Sequence, residues 1–187
     1  PDHEVGLACN HAYNDWMGEE WCASAPGRLI PMIIIPLWDA ELAAAEVRHY
    51  AEKGVHAAAF SENPFNLGFR TIFDVDGFWD PFLQACAETG NVISMHVGSG
   101  AMQIPPGAMP TRVRDTPQIV GMATGPAGTT ASSMMEWLFS PAFQKFPDLK
   151  IAFSEGGIGW MPYFLERAEQ SVLKHRAWVN KVTIGLN

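Results

Sequence analysis

The stretch Asp80-Pro-Phe-Leu-Gln-Ala-Cys-Ala-Glu-Thr-Gly-Asn-Val-Ile-Ser-Met-His-Val-Gly-Ser-Gly100 holds one whole unit of the fold. Phe82, Leu83, Cys86 and Ala87 share one helical face, Asp80-Pro81 caps and opens that helix, and Gly90 ends it. Only Asn91 then separates it from Val92–Val97, an apolar run that suits a strand covered on both faces. His96 and a glycine-rich exit close the unit. A helix joined to a strand by so short a turn, with a long loop after the strand, indicates parallel α/β architecture.

The same grammar extends in both directions. Upstream, a helix over Asn10–Ala25 is stopped by Pro26-Gly27, and the isoleucine-rich run Leu29–Ile35 reads as a strand. Asp39 is an N-cap, Ala43, Val47, Tyr50 and Ala51 form a helical stripe, and Gly54 ends it before the strand Val55–Phe60. Downstream, Ser133 with Glu136 has the spacing of a capping box, and Ser140-Pro141 restarts the helix. Leu149–Phe153 is the next strand, followed by a helix with Ile158, Met161, Leu165, Ala168 and Val172 on one face. Connections entering strands are short (Gly54, Gly90-Asn91, Pro147-Asp148). Those leaving them are long, as in Ser61–Gly77 and Gly98–Thr130. The expected fold is α/β, a partial (β/α)8 TIM barrel of about four βα units, since a full barrel takes about 250 residues.

Composition narrows the function. The 187 residues are 48% hydrophobic and 17% charged, enough for one core, and residues 1–187 read as a single domain. The net charge of −8 excludes a basic nucleic-acid or anionic-membrane surface. No apolar run reaches membrane-spanning length. Three cysteines without ligand spacing read as reduced thiols of a cytoplasmic protein, with packing roles. There is no Gly-x-Gly-x-x-Gly fingerprint, no Walker motif and no Gly-x-Ser-x-Gly elbow.

Barrels and open α/β sheets keep their chemistry at the carboxyl ends of strands. There stand Trp38 and Asp39, Ser61 and Glu62, His96 with Ser99, and Ser154 with Glu155. His96 reads either as a metal ligand or proton shuttle, or as a histidine hydrogen-bonded in the rim. Glu155 reads as a general base, a metal ligand or a helix N-terminal carboxylate. Asp39 is foremost a cap. Glu62 remains open between a binding role and a structural one. The other histidines fit a solvated surface.

The ordered series Tyr13-Asn-Asp-Trp16, Glu20-Trp-Cys22, Pro26-Gly-Arg-Leu-Ile-Pro31, Pro36-Leu-Trp-Asp39 and Ser61-Glu-Asn-Pro64 continues through Trp79-Asp-Pro-Phe82 and Met95-His-Val-Gly98. Phe146-Pro-Asp-Leu149, Ser154-Glu-Gly-Gly-Ile-Gly-Trp160 and Leu165-Glu-Arg167 complete it. Together they resemble the amidohydrolase-related TIM-barrel family that includes aminocarboxymuconate-semialdehyde decarboxylase. The resemblance implies a divalent metal, zinc first, at the barrel mouth, with His96 matching the ligand histidine of the middle strand. The family's amino-terminal Asp-x-His-x-His is absent, as is its late ligand aspartate. Glu155 stands where the decarboxylases carry a histidine. A carboxylate there can act as base or ligand but cannot donate as an imidazolium does.

The leading expectation is a metal-dependent hydrolase using metal-activated water on a small organic substrate, with Glu155 as catalytic residue, His96 as metal ligand, and Trp38 and Glu62 contacting substrate. The alternative is a metal-dependent, non-oxidative decarboxylase of a small unsaturated or aromatic carboxylate. A third is a catalytically dead half-barrel. The chain starts at Pro1, and Lys181–Asn187 departs from the family, so a domain incomplete at both ends is expected. Its open strand edges and the family's habits make a homo-oligomer an expectation too.

Overall fold

The computed structural model describes residues 2–100, 118–175 and 177. Helix α1 (His3–Asp15) is capped by Asp2, whose Oδ1 accepts the Glu4 and Val5 N–H groups at 3.0 and 3.2 Å. That cap starts the helix earlier than the Asn10 onset expected. The chain then widens into a π-helical turn, Trp16–Trp21, and tightens through Cys22–Ser24. Helix α2 (Ala40–Glu52) begins as expected, Asp39 accepting from Glu41 and Leu42. It ends at Gly54, whose φ of 82° only glycine adopts without strain.

Strand β1 (Ala57–Phe60) leads into the short turn Pro64–Leu67 and helix α3 (Asp80–Thr89). Next come β2 (Val92–His96), α4 (Gln118–Phe139), α5 (Ala142–Lys145), β3 (Lys150–Ser154) and α6 (Met161–His175). The sheet runs β1-β2-β3, all parallel, with Ala58, Ile93 and Ile151 in one row and Met95 opposite Phe153. It is a partial TIM barrel.

Period-two alternation divides the two faces of the sheet. Ala58, Phe60, Ile93 and Met95 are buried with Ala43, Ala44 and Val47 of α2, Phe82 and Cys86 of α3, and Trp137 of α4. Phe60 meets Trp79, Phe82 and Trp137 at ring-centroid distances of 5.0, 5.4 and 6.0 Å. Such pairs add about 0.5–1.5 kcal/mol each beyond area burial. They anchor α3 and α4 just below the exit of β1. The opposite face carries Ala57, Ala59, Val92 and Ser94, half-buried, and ends in the exposed His96.

Several expectations need correction. Leu29–Ile35 forms no full strand: Ile33 makes one parallel bridge to Ala58, and Leu29 bridges only to the nearby Pro26. Pro31 and Pro36 lack the N–H that a longer ladder needs. On the other edge, the buried Asn14 side chain takes the partner's place, its Oδ1 accepting Ile34 N–H at 2.8 Å and its Nδ2 donating to Ile34 O at 2.9 Å. Asp80 is the first helical residue rather than the cap, and its carboxylate pairs with Lys145 at 2.7 Å. Ser133 and Glu136 lie inside α4, so they form no capping box, and α4 claims the carboxyl part of the connection expected as a Gly98–Thr130 loop. Residues 101–117 of that connection, like Lys181–Asn187, lie outside the described residues. Ile158 precedes α6 and is exposed, and α6 has no buried residue among those described; Met161, Phe164, Ala168 and Val172 are half-buried.

Candidate active site

The carboxyl ends of β1, β2 and β3 form the candidate site. Register sets His96 beside Ser154, so Glu155 begins one residue beyond the row that holds the histidine. His96 Nε2 lies 3.3 Å from Glu155 Oε2, and both side chains are more than half exposed. His96 Nδ1 lies 2.8 Å from Val97 O. A contact of that kind, with Nδ1–H donating to a carbonyl, leaves Nε2 with its lone pair outward, as metal ligation or proton relay requires. Glu155 has φ of 61°, the left-handed conformation that side chains disfavour. Gly156 beyond it touches Thr130 so closely that a Cβ would stand 2.6 Å from the threonine methyl.

Glu62 is 3% exposed. Its Oε2 accepts Gly98 N–H at 2.7 Å and its Oε1 accepts the Thr130 hydroxyl at 2.5 Å. Its own N–H donates to Ser99 Oγ at 2.9 Å, and its carbonyl accepts Ser133 Oγ–H at 2.6 Å. The carboxylate expected to meet substrate is buried, and among the described residues its donors come from the exit of β2 and helix α4. Asn63, next along, donates from Nδ2 to Glu136 at 3.0 Å. Burial pushes the Glu136 carboxyl above the ordinary carboxylate range.

Trp38 is half-buried and engaged with α1. Its ring stacks on His3 at 5.1 Å, and a Cβ at Gly6 would approach it to 3.0 Å. Thus His96 and Glu155 come together directly, Glu62 joins them through Gly98, and Trp38 is held by another element. Reading the sequence alone missed Thr130, Ser133 and Glu136. Their signal was present as a polar stripe at helical spacing, offset from the apolar Met134 and Trp137.

Away from this site, His11 Nε2 meets the buried Glu46 at 2.5 Å, and Asn14 Nδ2 donates to the same carboxylate at 3.0 Å. Tyr50 donates to Asp15 at 2.8 Å, which with Lys53 holds the Asp15 carboxyl below its usual range. This network borders a cavity of about 400 Å3 between α1 and α2, lined by Leu7, Leu42 and Ala45 among others. It fastens the two helices. Cys86 is fully buried, its thiol pushed up to about 12 by burial, which suits packing and not nucleophilic use.

A metal would find only part of a coordination shell. Among the described residues no group of three His, Cys, Asp or Glu side chains could hold one. His96 Nε2 and Glu155 are two donors, and a protein zinc site takes three or four. The described residues therefore fit one or two ligand positions rather than a complete centre.

A family model described as amidohydrolase matches residues 3–183. No curated protein matches the chain in sequence. Among solved structures, an amidohydrolase from Mycobacterium avium subsp. paratuberculosis K-10 is similar with TM-score 0.72 and 21% identity, over 98% of this chain and 46% of its own. The 5-carboxyvanillate decarboxylase of Novosphingobium aromaticivorans DSM 12444, complexed with manganese and 4-hydroxy-3-methoxy-5-nitrobenzoic acid, is similar with TM-score 0.72 and 21% identity, over 97% of this chain and 48% of its own. The 2,6-dihydroxybenzoate decarboxylase from Rhizobium gives TM-score 0.67 and 23% identity, over 96% and 53%. The chain spans about half the length of these structures. At such identities the likeness concerns the fold.

Proposed function

The chain belongs to the amidohydrolase family, and from that membership we propose that the complete protein carrying it is a metal-dependent carboxy-lyase of a small aromatic or unsaturated carboxylate. The observation that carries this reading is the facing pair His96 and Glu155 at adjacent strand ends. The decarboxylases among the similar solved structures support it over the hydrolytic reading. A divalent metal, manganese or zinc, would take His96 Nε2 as one ligand and polarise the bound substrate. The remaining ligands would come from outside the described residues.

Loss of carbon dioxide leaves the bonding electron pair on the substrate carbon, and a proton must replace the carboxylate there. Glu155, exposed at the β3 exit, is the group placed to relay that proton, passing one to the carbon as it takes one from water. Trp38, stacked on His3 and packed against Gly6, holds α1 to the exit of the Ile33 segment. Glu62 supports the site from below instead of contacting substrate. Unpaired Cys9, Cys22 and Cys86 accord with a reducing, cytoplasmic setting.

The hydrolytic reading retains one specific support: an exposed carboxylate at Glu155 can equally take a proton from attacking water. The two part on the products. In heavy water with manganese(II), the complete protein should release carbon dioxide from hydroxybenzoates and leave one deuteron on the carbon that lost it. Glu155→Gln should slow that release by about a hundredfold or more. Solvent oxygen in the product without carbon dioxide would transfer the protein to the hydrolases. Unaltered turnover in Glu155→Gln would remove this residue from the chemistry.

A further inference from the structure

His96 is steered from beneath through a peptide group. Its Nδ1 contacts Val97 O at 2.8 Å, and the nitrogen end of that same Val97–Gly98 peptide donates to Glu62 Oε2 at 2.7 Å. In a trans peptide the C=O and N–H point to opposite sides. One planar group therefore spans from the imidazole to a buried carboxylate. The carboxylate is itself fixed by the Thr130 hydroxyl, and the Glu62 backbone by Ser99 and Ser133.

We propose that Glu62 is a positioning residue: its charge polarises the Val97–Gly98 peptide, strengthens Val97 O as an acceptor and holds His96 as the Nδ1–H tautomer. Hydrogen bonds to an ionised group are about twice as strong as neutral ones, and bonds in a chain reinforce one another. The opposing influence is Glu155, which would draw a proton onto Nε2. Its contact is 3.3 Å, and its side chain is 74% exposed, so water screens it. The shorter, buried chain prevails. Nε2 is left free for whatever occupies the mouth. The use of that lone pair for a metal rests on the proposed function, whereas the tautomer itself does not.

The test is nitrogen NMR of the 187-residue chain labelled with 15N-histidine, at about pH 8.5 where imidazoles are ordinarily neutral. His96→Gln identifies the His96 signals. The wild-type ring is expected to carry its proton mainly on Nδ1, and a proton mainly on Nε2 would overturn the proposal without any Glu62 variant. Glu62→Gln keeps an oxygen for Gly98 N–H and removes the charge. It should move the tautomer ratio toward Nε2–H by roughly three- to tenfold, leaving the other five of the six histidines unmoved. An unchanged ratio in a folded variant would also overturn it. The two readings fail separately. Expected tautomers in a complete protein that binds no metal sink the proposed function alone, and the wrong tautomer in a metal-binding enzyme sinks the relay alone.

Discussion

Glu155 occupies a conformation in which a side chain costs about 1–2 kcal/mol. Glycine would sit there without strain, and two glycines follow it at once. The carboxylate therefore stands against local preference, at the strand end where it faces His96. Glu155→Gly is expected to raise the chain's stability by about 1 kcal/mol, read by urea unfolding, while ending turnover in the complete enzyme. A loss of stability would mean that the side chain makes a contact stronger than the strain it imposes. His96 and Glu155 were legible in sequence because a strand's last residue and its exit follow from where the apolar run stops. The fate of Glu62 was not. Its carboxylate is taken by groups 36 and 68 positions further on, and only the fold brings them there.

Helix α4 organises the strand exits. It is rich in small residues, and Gly121, Gly125, Pro126 and Gly128 argue against a helix by propensity alone. Packing overrides that preference where Ala131 and Trp137 are buried. The capping-box spacing of Ser133 and Glu136 misled for the same reason: the hydroxyl serves Glu62, not a helix start. Leu29–Ile35 was legible as extended chain, but Pro31 within it and Pro36 just after it limited what it could pair with. Glu136 gives α4 a dependence on pH. Burial favours its protonated form in the folded state, so its contribution to stability is complete below the ordinary carboxylate value of 4.5 and is lost as pH rises through the raised one. Glu136→Gln retains an acceptor for Asn63 and removes the charge. It should raise stability near pH 7 by roughly a few tenths of a kcal/mol after solvent screening, with little gain below about pH 4. Urea midpoints at the two pH values check this, and an equal gain at both would point away from charge.

Over the whole molecule, chain order and connection lengths were enough to foresee half a barrel. Core packing is uneven across it. The β1 and β2 side is closed by α2, α3 and α4, whereas no residue of β3 or α6 is buried among those described. Sequence pattern could not show that imbalance, since an apolar stripe looks the same whether or not anything covers it. The proposed metal site is uneven too, with one histidine and one carboxylate among the described residues where three or more ligands are needed. The isolated chain is therefore expected to bind zinc(II) no more tightly than about micromolar and to show no turnover. Nanomolar, stoichiometric binding by titration calorimetry would mean that the ligand set is complete within it. Thr130, lodged between the Glu62 carboxylate and Gly156, has a consequence for descent. A bulkier residue at 156 is admissible only with a smaller one at 130, and loss of the hydroxyl at 130 leaves the acid at 62 short of a donor. Three stretches far apart in the gene are thereby tied into one heritable set, in which a change at one member constrains what the others can become.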